Sequence, residues 1–132
     1  MSSSDPRPES GPTVPAVLTW GTWIAVVLVA AQLVLGILML NGSWSLIDAH
    51  AGLGYAATLA AAVAAVSAIV WKRRGGATGV MAHAVSMPIL MIIQIGLGSA
   101  GIKWVHVVLG VLILLGLIGL PMSLRSASRK SA

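Results

Sequence analysis

An all-α membrane fold, a four-helix transmembrane bundle made of two parallel helical-hairpin repeats, is predicted by three observations. Of the 132 residues, 58% are hydrophobic and only 8% are charged, whereas charged residues make up about a quarter of a soluble domain. Four apolar runs each reach the roughly 20 residues that a helix needs to cross the hydrocarbon. The chain also repeats itself: Gln32, Gly36, His50 and Gly54 recur as Gln94, Gly98, His106 and Gly110. Such a chain takes lipid as its solvent. With no length left for a separate soluble domain, its spans pack on one another as one bundle, and each helix satisfies its own backbone hydrogen bonds.

Residues 1–15 are rich in Ser and Pro and carry Asp5, Arg7 and Glu9 without apolar periodicity, the pattern of a disordered tail. The first span, residues 16–40, is too long for a signal-peptide apolar region and has no basic segment immediately before it, so it is expected to be retained. Asn41 to Ile47 form a short loop. Ser45, followed three residues later by Asp48, has the form of a capping box opening the second span, residues 47–71. Ala56, Ala60, Ala64 and Ala68 make a small-residue ridge along that span. Lys72, Arg73, Arg74, Gly75 and Gly76 then form a basic turn that hydrocarbon excludes. The third span, residues 80–100, carries Pro88, which is expected to kink it. The fourth covers residues 103–124, and residues 125–132 are a basic tail. Trp20, Trp23, Trp44, Trp71 and Trp104 fall near span ends, where aromatic belts form.

The net charge of +5 does not indicate nucleic acid, because the basic residues cluster at membrane edges instead of forming a stripe on a polar face. Lys72, Arg73 and Arg74 in one connection, and Arg125, Arg129 and Lys130 after the last span, are expected to be cytoplasmic by the positive-inside rule. Four spans then place both ends in the cytoplasm, in a bacterial plasma membrane. With no cysteine, disulfides, iron–sulfur clusters, thioether-linked haem and thiol chemistry are excluded.

The repeat locates the candidate site. In each half, Gln-x-x-x-Gly on an outward-running helix is followed by a short outer loop and His-x-x-x-Gly on the returning helix, which implies two hairpins related by an axis along the membrane normal. The four-residue spacing sets each Gly on the face of its Gln or His. At about 1.5 Å per residue, Gly36, His50, Gly98 and His106 share a layer near the outer edge. Gln32, Gly54, Gln94 and Gly110 lie nearer the centre. In an up-down bundle, spans two and four are diagonal neighbours, so His50 and His106 can face each other across the axis. Two neutral imidazoles, with glycines removing bulk between them, are what haem b needs as axial ligands and slot. A zinc site would want further ligands.

Gln32 to Gly36 (QLVLG), His50, Gln94 to Gly98 (QIGLG) and His106 resemble one four-helix half of the haem A synthase family, over about residues 31–115. That family is built from two such bundles, with haem-ligating histidines at the outer ends of alternate helices. The chain is also similar to small four-span actinobacterial membrane proteins that carry the same paired Gln and His signals. The resemblance implies a haem ligated by His50 and His106.

Other readings accompany this one. Buried amides commonly bond across membrane helices, so Gln32 and Gln94 are read as links between the halves, with quinone binding as the functional alternative. Lys103, the one basic residue on the outer side, stands one turn before His106, where a haem propionate would emerge; snorkelling explains it as well. Asp48 is read as a helix cap, and His83 as an interfacial residue at the cytoplasmic start of span three. The functional expectation is a membrane cytochrome b-like protein passing electrons to or from a quinone or a respiratory partner subunit, with the chemistry supplied by the cofactor. The alternative is a haem-free accessory subunit of a larger membrane complex, in which both histidines are structural. No span carries a mid-membrane charge suited to a transport path, and no nucleophile has a nearby base.

Overall fold

A computed structural model of the chain describes residues 13–130. Helix α1 spans Ala16–Leu40, α2 Ile47–Arg73, α3 Thr78–Ser99 and α4 Lys103–Lys130. All four are long and apolar enough to cross a membrane, and the chain is a multi-pass, all-α bundle. The tail expected over residues 1–15 lies outside the described residues except for Thr13 to Pro15, which precede α1 without helical structure.

Short loops make successive helices antiparallel. Each connection holds a glycine in the left-handed region, where a side chain would be strained: Gly42 at φ 102°, Gly75 at 95° and Gly101 at 71°. The helices close a ring in the order α1, α2, α3, α4, each packing on its two neighbours. Helices α2 and α4 are therefore diagonal, as the repeat requires.

Four sequence expectations need correction. Ser45 does not cap α2. It sits inside a 3₁₀ turn, Trp44–Leu46, which leads directly into the helix, and α2 has no side-chain cap; the turn's own backbone bonds take the place that a capping hydroxyl would have filled. The alanine ridge is rotated: Ala57, Ala61, Ala64, Ala65 and Ala68 are buried, whereas Ala56 is exposed. Steps of four residues overshoot a 3.6-residue turn by about 40° each, so a ridge in register at Ala68 has turned outward at Ala56. Trp71 is not an interfacial anchor like Trp20, Trp44 and Trp104, which are exposed. It is 4% exposed, because Gly76 has no Cβ to collide with its ring. Finally, α4 continues through the basic segment to Lys130, so Arg125 and Arg129 ride on its last turns. Helix α3 runs unbroken through Pro88.

The apolar core fills one end of the bundle more densely than the other. Nearest the basic connection, Leu18, Ala64, Ala68, Trp71, Val80, Ala84, Leu120 and Leu124 pack together. The next layer holds Ala25, Val29, Ala57, Met87, Met91, Ile113 and Leu117. Beyond Val29, Ala57, Met91 and Ile113, toward the opposite end, Met39 is the one buried apolar side chain among the described residues. The polar repeat residues occupy that less densely packed end.

Candidate functional site

The two motifs of the repeat, Gln-x-x-x-Gly and His-x-x-x-Gly, have a common physical basis. In a helix the carbonyl of residue i points toward residue i+4, and a side chain at i+4 screens it from a neighbouring helix. A glycine there leaves the carbonyl open, and its second lone pair can take a bond from outside.

Both halves use this opening. Gln94 on α3 donates its Nε2 to the His106 carbonyl on α4 at 2.7 Å. The amide passes over Gly110, where a Cβ would stand 2.8 Å from that nitrogen. In return, His106 donates Nδ1–H to the Gln94 carbonyl at 2.9 Å, its ring resting on Gly98, where a Cβ would meet the imidazole at 3.0 Å. The α3–α4 hairpin is thus closed by a reciprocal pair of bonds, with each side chain reaching the other residue's backbone over a glycine. In the α1–α2 hairpin, Gln32 Nε2 donates to the His50 carbonyl across Gly54, where a Cβ would lie 3.1 Å away. The return bond is not fully formed. The Gln32 backbone carbonyl is near enough to the His50 ring for a weak contact, but His50 Nδ1 is buried and makes no bond of full hydrogen-bond geometry. Gly36 is a looser seat, since its Cβ would stand 3.8 Å from the imidazole.

These links set both histidines toward the bundle axis. The His50 and His106 ring centroids are 6.0 Å apart with their planes inclined at 56°, although the two residues belong to diagonal helices. Two imidazoles that share one metal ion through Nε2 have centroids about 6–6.5 Å apart, from a metal–nitrogen bond of roughly 2.0 Å and roughly 1.2 Å from nitrogen to ring centre. His106 donates from Nδ1, so its Nε2 is the nitrogen with a free lone pair, the arrangement that a hydrogen-bonded metal ligand takes. Both rings are half-buried. Among the described residues, no group of three or more His, Asp or Glu side chains could hold a metal ion, so the two imidazoles meet without a third such side chain beside them. It also holds two buried acceptors without partners, Gln32 Oε1 and Gln94 Oε1.

The remaining candidates lie off this axis. Lys103 is exposed at the first turn of α4, with its ammonium 5.2 Å from the centre of the Trp104 ring. Asp48 lies in the first turn of α2, where its charge favours the helix dipole without a capping bond. His83 is at the opposite end, its ring facing Gly116 and Gly119 of α4 and its neighbour one turn on, Met87, lying over Gly116. Sequence reasoning passed over this second His–glycine contact. The signal was a glycine pair on α4 at the depth of His83, in the half where α1 offers Gly21 instead of a histidine. A groove of about 560 Å³ between α3 and α4 at the basic end is lined by Val80, Met122 and Ser126 among others; it holds none of the repeat residues.

No family model, curated protein or solved structure matches the chain.

Proposed function

We propose that the chain is a haem b-binding membrane protein that holds one haem near the outer face of a bacterial plasma membrane through His50 and His106. The observation that carries this reading is the 6.0 Å separation of the two rings, a distance suited to one metal ion between them. The sparse apolar packing at that end supports it. His106 would ligate through Nε2, held in one tautomer by the Gln94 carbonyl. His50 would ligate from the diagonal helix. Gln32 and Gln94 fix the two helix starts by gripping the histidine carbonyls, each bond being worth about 0.6–1.7 kcal/mol in a membrane. Lys103, at the rim of the same end, would offer a cation to a propionate. Haem b bound here would supply one-electron transfer, and a quinone or a respiratory subunit would be the partner.

The expected result is that the full chain, expressed with adequate haem and purified in detergent, gives a pyridine haemochrome of haem b and a low-spin bis-histidine spectrum. A preparation that binds no added hemin would exclude this function.

The positive-inside rule supports cytoplasmic ends, since Lys72, Arg73, Arg74, Arg125 and Arg129 lie at one end of the bundle and Lys103 at the other. The chain has no cysteine, so one introduced residue reports its own side. A Ser126→Cys variant in intact cells is expected to react with an impermeant maleimide only after permeabilisation. Labelling without permeabilisation would reverse the orientation.

One observation favours a second reading, a haem-free accessory subunit. The Gln–His links account for Gly54, Gly98 and Gly110 as packing surfaces without any cofactor. Under that reading purified protein is colourless, and variants of both histidines still co-purify with the partner complex.

A further inference from the structure

The two histidines are equivalent in the repeat but not in their surroundings. His106 is held at three places: its Nδ1–H bonds the Gln94 carbonyl at 2.9 Å, its own carbonyl receives Gln94 Nε2 at 2.7 Å, and its ring is seated closely on Gly98. His50 is held firmly at one. Its carbonyl receives Gln32 Nε2, while its Nδ1 makes only a weak contact with the Gln32 backbone and no bond of full hydrogen-bond geometry, and its ring stands off Gly36, where even a Cβ would be only in ordinary contact at 3.8 Å.

These differences act in one direction. A hydrogen bond from Nδ1–H to a carbonyl fixes the tautomer, orients the ring and makes Nε2 a stronger donor to a metal. It is removed only at the cost of leaving the Nδ1–H without its acceptor. An imidazole with only a weak contact there is freer to exchange tautomers and to turn about its side-chain torsions.

We infer that the site is one-sided: His106 is the fixed ligand and His50 the exchangeable one, so that small neutral sixth ligands of the carbon monoxide type enter on the His50 side. This rests on the haem reading above. Were haem bound, His50 Nε2 would yield its place to the incoming ligand, one two-electron donor for another, with no change of oxidation state. Gln94 and Gly98 are then positioning residues for the fixed ligand: the first provides the carbonyl that holds Nδ1, and the second keeps that carbonyl uncovered.

Two measurements on the full-length protein test this, and the first needs no haem. Nitrogen-15 imidazole spectra of the haem-free wild type, labelled at histidine and assigned with single His→Gln variants, are expected to show His106 in one tautomer with Nδ1 protonated and His50 averaged between two. Equal locking of both rings, or locking of His50 alone, would overturn the inference whatever the protein binds.

The second is hemin titration of His50→Ala and His106→Ala, followed by dithionite reduction under carbon monoxide. His106→Ala is expected to weaken hemin binding roughly 10- to 100-fold more than His50→Ala. The His50→Ala protein should retain a five-coordinate haem that takes carbon monoxide fully. Equal losses, or haem kept in His106→Ala and lost in His50→Ala, would reject the assignment. If the wild type takes up no hemin, the haem function falls and ligand exchange falls with it, while the tautomer spectra still show whether the two rings differ. If His106→Ala does not fold, the wild-type tautomers decide.

Discussion

If the chain holds haem as proposed, replacing both His50 and His106 by alanine is expected to abolish the Soret band of the purified chain while leaving its helical circular dichroism and detergent elution unchanged. This is the largest functional effect expected of any substitution under that proposal, because the His50 and His106 rings are the two imidazoles that meet in the layer. Removing both would leave a haem iron without an imidazole donor there. The fold should survive, because the strongest links between the hairpin helices do not use the imidazoles. Gln32 and Gln94 donate to the backbone carbonyls at positions 50 and 106, and alanine keeps those carbonyls. What alanine does remove is the hydrogen bond from His106 Nδ1 to the Gln94 carbonyl, worth about 0.6–1.7 kcal/mol in a membrane. Loss of colour is therefore separable from loss of structure. A double variant with an unchanged haem spectrum would remove His50 and His106 from the site.

The double variant also bears on how much of the molecule was legible in the sequence. The spans could be read because hydrocarbon admits helices and excludes charge, so the apolar runs and the Lys72 to Arg74 turn had one arrangement open to them. Helix α1 begins and ends where its apolar run does. The depth of the histidine layer could be read for a similar reason: a repeat counted in residues converts to height at a fixed rise, and His50 and His106 do meet across the axis. Rotational detail was less legible. Counting in fours along α2 marked Ala56 as part of the packing ridge, but the accumulated drift carries it to the lipid side. Trp71 looked like an interfacial anchor, because hydropathy gives its depth and not the direction its ring takes over Gly76. The glycines of the repeat admitted two readings, room for a flat macrocycle or close approach of helices. In the structure Gly54, Gly98 and Gly110 instead lie beneath Gln and His side chains of their own hairpins. A gap in a sequence pattern reports that bulk is absent, and not which neighbour fills the space. The asymmetry between the two halves was legible only as a difference in spacing, 18 residues from Gln32 to His50 against 12 from Gln94 to His106, which does not say which ring is held more firmly.

That dependence on close approach leads to the second large effect, on stability. Gly110→Ala is expected to destabilise the bundle by about 1–3 kcal/mol, the cost of forcing a methyl into filled space, measured as reversible unfolding in mixed micelles. The added Cβ would stand 2.8 Å from Gln94 Nε2, so it either strains the helix contact or drives the amide off the His106 carbonyl. The flexible amide can swing away, but only by giving up the cross-helix bond from Gln94 Nε2 to the His106 carbonyl. The other glycines grade the effect by distance. Gly98→Ala meets the His106 ring at 3.0 Å and Gly54→Ala meets Gln32 Nε2 at 3.1 Å, whereas Gly36→Ala reaches His50 only at 3.8 Å and Gly96→Ala touches nothing within 4 Å. In the last case the substitution removes a helix glycine without a clash and is expected to stabilise by about 0.5–1 kcal/mol. Apolar burial cannot produce this order, because lipid is as apolar as the bundle interior and a methyl gains little by choosing one over the other. The order follows from whether a cross-helix hydrogen bond needs that face of the helix bare. A series in which Gly110→Ala and Gly96→Ala behave alike would show that the carbonyls of His106 and Gln94 are not what these glycines expose.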